Sequence, residues 1–198
     1  MKVSMQLEDH SIWRRLIVPL DMSFSAMHEV LQIAFNWQDY HLHEFYLYDE
    51  SKTDESENDY SDTYTSFGYR PVLNVVMNEE AMAYDYDIEM KLEKGLLLSN
   101  FIPPHTYMKY IYDFGDSWRH EIVIEEIVTK EGLRSPVCLE GEGTAPPEDC
   151  GGETGFNEFL EIINDPSHPE YESMQSWARM QLYREFNMEL VNRRLRKL

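Results

Sequence analysis

Acidic, imidazole and thiol side chains that could bind or transform a ligand gather in three short stretches of the sequence. The first is HLH at residues 41–43, the second is DFGDSWRHE at residues 113–121, and the third is CLEGEGTAPPEDC at residues 138–150. Such side chains bind divalent metal ions and transfer protons in enzymes. No CxxC, HExxH or HxxxH spacing accompanies them, so the residue types suggest a site that the spacing does not define.

Two sets of candidate residues follow from these stretches, and no catalytic residue is assigned. The binding set is an edge formed by the DFGDSW turn and the PPEDCGG loop, with Asp113, Asp116, Trp118, His120, Glu148 and Asp149. The metal set takes its ligands from His41, His43, Asp113, Asp116, His120, Cys138 and Cys150. If the two loops form one site, the carboxylate of Asp113 or Asp116 should lie near that of Glu148 or Asp149.

A purely structural role for the DFGDSW turn is the alternative. In that interpretation Asp116 and Ser117 cap the turn through bonds to nearby backbone groups, and Asp113 pairs with Arg119. The DFG triplet does not indicate a protein kinase, because no glycine-rich loop or HRD-like segment accompanies it. The GEGTAPPEDCGG segment likewise lacks the lysine and hydroxyl of a P-loop.

Alternating polarity predicts the strands that would position these residues. Residues 107–114 and 118–125 alternate on either side of Gly115 and are rich in aromatic and β-branched side chains, which predicts a hairpin. Residues 3–7 and 12–18 predict another hairpin. Residues 41–48 predict a strand with His41, His43 and Phe45 on one face. A further short strand is predicted at residues 72–77.

Helical periodicity is clearest at residues 24–35. Ser23 is the predicted N-cap and Asn36 the predicted stop, while His28, Glu29 and Gln32 fall on the face away from the apolar residues.

Weaker or later helical patterns complete the prediction. Residues 90–97 predict a short helix that ends near Gly95, and the glycine-rich and proline-rich segment that begins at Ser135 is predicted to be irregular. A helix capped by Thr154 is predicted to end at Asp165, followed by helices at residues 170–183 and 188–196, the last capped by Asn187.

These elements predict one α+β domain over residues 1–198, with an antiparallel or mixed sheet and helices packed on it. Between residues 49 and 66 the sequence carries seven acidic residues, one lysine and almost no aliphatic side chain. Such a segment cannot bury enough apolar surface to order itself, so it is predicted to be a mobile surface loop.

The charge balance restricts the partners. Thirty-seven acidic and seventeen basic residues leave a formal charge of −20, which disfavours duplex DNA and anionic membranes. No apolar run approaches the roughly 20 residues of a membrane span, and the first ten residues lack the apolar centre of a signal peptide. We therefore expect a cytoplasmic protein with free Cys138 and Cys150 thiols. The expected partner is a protein or small molecule, with no cofactor predicted beyond a divalent metal ion as an open option.

Several sequence blocks occur in the order that is typical of one family. IWRRLIVP, LQIAFNW with HLHEF, YDFGDSWRHEI, PVC with PPEDCGG, and FNMELVNRRL together resemble the plasmid pRiA4b ORF-3-like family over nearly the whole chain. The resemblance implies no activity, because the family has no established biochemical function, although some members carry a transposon-resolvase label or are associated with mobile elements. Members commonly have a cysteine before the paired prolines. Ala145 stands there in this chain, which counts against a three-cysteine metal site.

Three functional interpretations follow. The leading one is an uncharacterised cytoplasmic binding or interaction module. The second is a metal-dependent hydrolase with Glu148 as general base and ligands from Asp113, Asp116, His120, His41 and His43. The third, implied by the resolvase label, is a mobile-element protein that acts on DNA. A serine recombinase needs an activated serine, and Arg14 and Arg15 lie in a predicted strand without one.

Overall fold

Eight strands and four α-helices make up the described part of the computed structural model, which comprises residues 1–53, 69–83, 88–129 and 132–198. The strands are β1 (Lys2–Met5), β2 (Trp13–Ile17), β3 (His43–Thr53), β4 (Tyr69–Val76), β5 (Glu89–Leu92), β6 (Tyr107–Tyr112), β7 (Trp118–Val123) and β8 (Val137–Glu142). The helices are α1 (Phe24–Phe35), α2 (Gly152–Asn164), α3 (Tyr171–Met180) and α4 (Met188–Leu195), with short 3-10 helices at Ala81–Ala83 and Leu98–Asn100. The predicted single α+β domain is confirmed.

The strands form one mixed sheet in the order β5-β4-β3-β6-β7-β1-β2-β8. Neighbouring strands are antiparallel except β4 and β5, which are parallel. Both predicted hairpins are present, and β6–β7 lies in the middle of the sheet. Tyr112 at the end of β6 faces His43 on one side and Trp118 on the other. The residues before β3 and the turn after β6 therefore lie at the same end of these two neighbouring strands.

Helix α1 has the bounds that its sequence predicts. The Ser23 hydroxyl accepts a hydrogen bond from the Ala26 amide at 3.1 Å, and Asn36 ends the helix in the left-handed conformation with φ of 64°. Phe24 and Leu31 are fully buried in one core with Phe45 of β3. Burying one such side chain stabilises the fold by about 1.5 to 3 kcal/mol, so this apolar face holds the helix on the sheet.

The polar face of α1 is not where the periodicity predicts it. His28 and Gln32 are both buried, whereas Glu29 is exposed as predicted. The Nδ1 of His28 lies 2.8 Å from the Tyr110 hydroxyl, and the Gln32 amide donates to that oxygen at 3.2 Å. These side chains are buried because they hydrogen-bond polar groups of the sheet, an arrangement that amphipathic periodicity does not reveal.

Three strands differ from their predictions. Residues 90–97 do not form a helix, because Glu89–Leu92 pairs in parallel with β4. The segment predicted to be irregular contains β8, which pairs with β2 at the edge of the sheet. Strand β3 begins at His43 rather than residue 41 and continues to Thr53, past the predicted start of the acidic loop. The rest of that loop, residues 54–66, lies outside the described residues.

The C-terminal helices follow their predictions with one exception. Gly151 and not Thr154 precedes the first turn of α2, because a left-handed Gly151 with φ of 92° turns the chain into the helix earlier. Helix α4 is capped as predicted, with the Asn187 side chain accepting a hydrogen bond from the Leu190 amide at 2.9 Å. Within the described ranges, the longest helix is too short and too polar to cross a membrane.

Candidate functional site

The turn between β6 and β7 is organised by Asp113, which adopts a left-handed conformation with φ of 57°. Its Oδ1 accepts hydrogen bonds from the amides of Gly115 at 2.9 Å and Asp116 at 3.3 Å. Its own amide donates to the Leu42 carbonyl at 2.9 Å, which joins the turn to the residues before β3. The predicted Asp113–Arg119 pair is wrong, because the second carboxylate oxygen faces His41 instead.

The PPEDCGG loop is held against this turn by two side chains. Glu148 Oε1 accepts hydrogen bonds from the Gln38 amide at 2.7 Å and from the Tyr112 hydroxyl at 3.1 Å. Asp116 Oδ2 accepts a hydrogen bond from the Gly151 amide at 3.1 Å. The DFGDSW turn and the PPEDCGG loop therefore form one surface, as the sequence predicts.

The imidazole of His41 lies where the two loops meet. Its Nε2 is 3.1 Å from Asp149 Oδ1 and 3.5 Å from Asp113 Oδ2. The same nitrogen lies 3.7 Å from Glu148 Oε2. This nitrogen atom is buried, and none of the three contacts has the alignment of a hydrogen bond. We call His41, Asp113, Glu148 and Asp149 the His41 cluster.

The prediction that Asp113 or Asp116 lies near Glu148 or Asp149 is confirmed. One potential ligand atom each from His41, Asp113 and Asp149 can be chosen so that all three lie within 4.8 Å of one another. The sequence proposed His41 only as a metal ligand and Asp149 only as a binding residue, and the fold brings the two together.

Burial sets the protonation of the groups around the cluster. It raises the pKa of Glu148, and it raises that of Tyr112, with the Glu148 carboxylate adding to the rise. Tyr112 therefore keeps the proton that it donates to Glu148. Burial also raises the pKa of Cys150 to about 12, and Asp116 adds to the rise, so Cys150 carries a neutral thiol at physiological pH.

Two predicted histidine ligands lie elsewhere. His43 packs on α1, where its ring stacks on His28 with centroids 3.5 Å apart and its Nε2 contacts Glu93 Oε2 at 2.9 Å. His120 is fully buried between Phe35 and Trp37, and burial lowers its pKa to about 3. Neither imidazole can join the His41 cluster without unpacking the core.

The remaining predicted residues have structural positions. Trp118 is 1% exposed and packs in the core, so it cannot line a surface edge. Cys138 is buried in β8, where Asn192 of α4 bonds both its amide and its carbonyl at 2.8 Å. The seven predicted metal ligands therefore do not converge, and His41 and Asp113 are the two members that lie in the cluster.

Exposed apolar side chains next to the cluster were absent from the predicted site. Tyr40, Leu42 and Phe114 are 66%, 48% and 48% exposed, and each is the chain neighbour of His41 or Asp113. A large aromatic residue inside a tight turn, as at Phe114, is the sequence signal that could have identified them, because a turn tip rarely reaches the core. We call these three exposed side chains, which are the chain neighbours of cluster residues, the apolar rim.

Comparisons with other proteins identify a family and two relatives. The family model described as plasmid pRiA4b ORF-3-like protein matches residues 1–194. An uncharacterized protein of Sinorhizobium fredii, y4hQ, is 31% identical over 178 residues, which cover 90% of this chain and 79% of that protein. The crystal structure of a protein of unknown function from Methanosarcina mazei Go1, MM3350, is similar with a TM-score of 0.70 and 30% identity. That match covers 95% of this chain and 93% of the other.

Proposed function

The chain belongs to the plasmid pRiA4b ORF-3-like family, and we propose that it is a binding module whose ligand edge holds a divalent metal ion in the His41 cluster. The relatives named above are described as uncharacterized or of unknown function, so the proposal depends on the geometry of this chain.

The spacing around His41 Nε2 is the observation that supports the ion. Metal–ligand bonds of about 2.0 to 2.2 Å place two ligand atoms about 3.0 to 3.6 Å apart. The Nε2 distances to Asp149 and Asp113 are 3.1 and 3.5 Å. A buried imidazole nitrogen that faces carboxylate oxygens at these distances without an aligned hydrogen bond is what an ion between them requires.

The ligand types indicate which ion would bind. One imidazole and two carboxylates suit Zn²⁺ or Mn²⁺ better than Ca²⁺, which prefers six to eight oxygen ligands. Three protein ligands leave at least one coordination position for a group from a partner. The apolar rim of Tyr40, Leu42 and Phe114 adds exposed apolar side chains next to His41 and Asp113 in the chain, a feature that recognition surfaces commonly have.

A metal-dependent hydrolase is the second candidate. The Oε2 of Glu148 lies 3.7 Å from His41 Nε2, close to where a general base would act on a metal-bound water. The other oxygen, Oε1, already accepts hydrogen bonds from Gln38 and Tyr112, and the side chain is buried. This bonding suits a positioning role for Glu148, and we therefore favour binding over hydrolysis.

Metal analysis tests the proposal directly. Protein purified without chelators is expected to carry close to one Zn²⁺ or Mn²⁺ per chain by elemental analysis. After chelator treatment, calorimetric titration with zinc or manganese chloride should show one site. His41→Ala and Asp113→Asn should each weaken that site by more than about tenfold, because each removes one ligand.

A second imidazole and carboxylate in the chain provide the matched control. His168 and Asp165 are surface neighbours outside the cluster, so His168→Ala and Asp165→Asn should leave metal affinity unchanged. Finding no stoichiometric metal and no heat of binding would reject the ion. Equal affinity in the His41→Ala and wild-type proteins would place any bound ion elsewhere.

A further inference from the structure

A cavity of about 430 Å³ lies between α2 and α3 and reaches Asp149 and Cys150. Its apolar lining comes from both helices and consists of Phe159, Ile162, Met174 and Trp177. The Phe159 and Trp177 rings meet edge to face with centroids 5.7 Å apart. The cavity is open on one side, and a volume of this size falls in the range of small-molecule pockets.

Carboxylates surround this apolar floor. Asp149, Glu158 and Glu170 contribute to the lining and are all exposed, and none of the described residues that line the cavity is lysine or arginine. The negative charge of these carboxylates is therefore not neutralised by a basic side chain in the described cavity lining. A ligand that carries a positive charge on an apolar body could pack against the apolar residues and place its charge next to the carboxylates.

We propose that this cavity binds a small organic cation, an ammonium or guanidinium group on an aromatic or aliphatic stem. The stem lies against Phe159, Ile162 and Met174, and the cation faces Glu158 and Glu170. The Trp177 ring adds a π face, which attracts a nearby cation. This inference goes beyond the ion site and does not depend on it, although Asp149 borders both.

Asp149 gives the two sites a specific relation. Its carboxylate belongs to the His41 cluster and also lines the cavity. Two cations that draw on one carboxylate repel each other, so a bound divalent ion should weaken the amine, and the amine should weaken the ion by the same factor.

Titration of chelator-treated protein with 2-phenylethylamine tests the cavity without the metal. The neutral analogue 2-phenylethanol serves as the matched ligand, because it keeps the ring and stem and lacks the charge. We expect a Kd of about 1 mM or tighter for the amine by calorimetry, with the alcohol at least about fivefold weaker.

Two paired variants locate the binding. Glu158→Gln with Glu170→Gln removes two of the three carboxylates at the cavity and should weaken the amine about fivefold or more. Glu161→Gln with Glu172→Gln removes the same charge from α2 and from the first turn of α3, at exposed positions outside the cavity, and should leave the affinity unchanged. Trp177→Leu should weaken the amine in protein that remains folded by circular dichroism.

Three results would overturn the inference. Equal affinity for amine and alcohol would mean that the cavity recognises only apolar surface. Equal weakening by the two glutamate pairs would mean that the amine responds to net charge rather than to this cavity. No binding of the amine up to about 10 mM would mean that the cavity is not a ligand site. Because chelated protein is used, none of these results depends on whether the ion site exists.

Discussion

Arg14 and the His41 cluster are two charged sites that differ in whether their polar atoms have hydrogen-bond partners. The Arg14 side chain is 2% exposed, and it donates to the carbonyls of Ala34, Trp13, Glu142 and Gly143 at 2.6 to 2.9 Å. Its guanidinium lies 3.8 Å above the Phe186 ring. In the His41 cluster, by contrast, three carboxylates face one imidazole nitrogen that has no aligned hydrogen bond.

This difference in hydrogen bonding indicates that Arg14 has a structural role and that the His41 cluster is a ligand site. At Arg14 each of the three guanidinium nitrogens has an acceptor, and the arginine ties β2 to α1 and to β8. Burial lowers the pKa of Arg14 to about 10, so it stays charged at physiological pH. In the His41 cluster acceptors exceed donors, and a cation from outside would correct the balance. Substitutions in the two sites should therefore affect different properties.

The largest expected effect is the loss of stability in Arg14→Met. The substitution removes the donor from one buried and three partly buried hydrogen bonds to carbonyl groups. A buried polar group that is left unsatisfied costs about 1 to 3 kcal/mol. We expect the free energy of unfolding to fall by at least about 3 kcal/mol in urea denaturation. Metal affinity in the fraction that remains folded should be unchanged.

Arg15 is the matched control for this prediction. It is the next residue, it carries the same charge, and its ion pairs with Glu125 and Glu140 are solvent-exposed. Arg15→Met should therefore change the urea midpoint only slightly. A loss of stability in Arg15→Met as large as that in Arg14→Met would show that the carbonyl contacts of Arg14 are not what stabilises the fold.

Buried His28 should make stability depend on pH, and this is the second largest effect. Burial lowers its pKa to about 4, and the stacked His43 ring adds to the shift. In the unfolded chain histidine titrates near pH 6.5, so between pH 6.5 and 4 the unfolded state binds the extra proton. Stability should fall as pH falls through this window, by up to about 1.4 kcal/mol per pH unit from His28.

A comparison of two glutamine variants isolates the contribution of His28. His28→Gln should reduce the slope of unfolding free energy against pH between 4 and 6.5, whatever its stability at neutral pH. His168→Gln, at a partly exposed site, should leave the slope unchanged. Identical slopes for His28→Gln and the wild type would mean that His28 is protonated in the folded state.

A substitution of Asp149 should have the opposite pattern to Arg14→Met, with little loss of stability and a large loss of metal binding. Its side chain is largely exposed and its backbone is left-handed, with φ of 56°. Asparagine tolerates that conformation as well as aspartate does, so Asp149→Asn should change the free energy of unfolding of chelator-treated protein by less than about 0.5 kcal/mol. Zinc should raise the melting temperature of the wild-type protein, because it binds the folded state, and this rise should disappear in Asp149→Asn. A large loss of stability without metal would mean that the His41 cluster is structural.

The parts of the fold that the sequence predicts well are those with local signals. Ser23 and Asn36 delimit α1 through contacts within one turn, and Gly115 lies in the turn of the central hairpin. Strand β8 has no such signal, because its conformation depends on pairing with β2 more than a hundred residues away. Its Gly141 looks like a loop residue, yet a Cβ there would come within 2.8 Å of Arg14 and 2.7 Å of Phe186.

The site was predicted in outline for the same reason. Turn-forming and loop-forming residues identified the two surfaces that meet, but the choice between His41 and His43 required the start of β3. A strand from residue 41 would place both imidazoles on one face. Because β3 begins at His43, His41 lies in the preceding loop and reaches Asp113 and Asp149, while His43 packs on His28. Tertiary contacts alone distinguish them.

The smallest expected effect concerns DNA, and it extends the comparison to the basic end of α4. Arg193, Arg194, Arg196 and Lys197 concentrate positive charge there, but Arg194 also donates to the Asn36 side chain at 3.0 Å. Each neutralised phosphate contributes about −0.9 to the slope of log affinity against log salt, so three or four cations support only a shallow dependence. The formal charge of −20 opposes the rest of the duplex.

We therefore expect duplex binding weaker than about 10 μM at physiological salt in a mobility-shift titration, with no preference for sequence. Arg193→Gln with Lys197→Gln should abolish what binding remains, while Arg15→Gln, on a different surface of the sheet, should not alter it. Nanomolar binding that survives competitor DNA would contradict this expectation. It would mean that the excess of acidic residues is concentrated away from a basic face, and that the mobile-element interpretation of the family describes this chain better than a binding module for cations does.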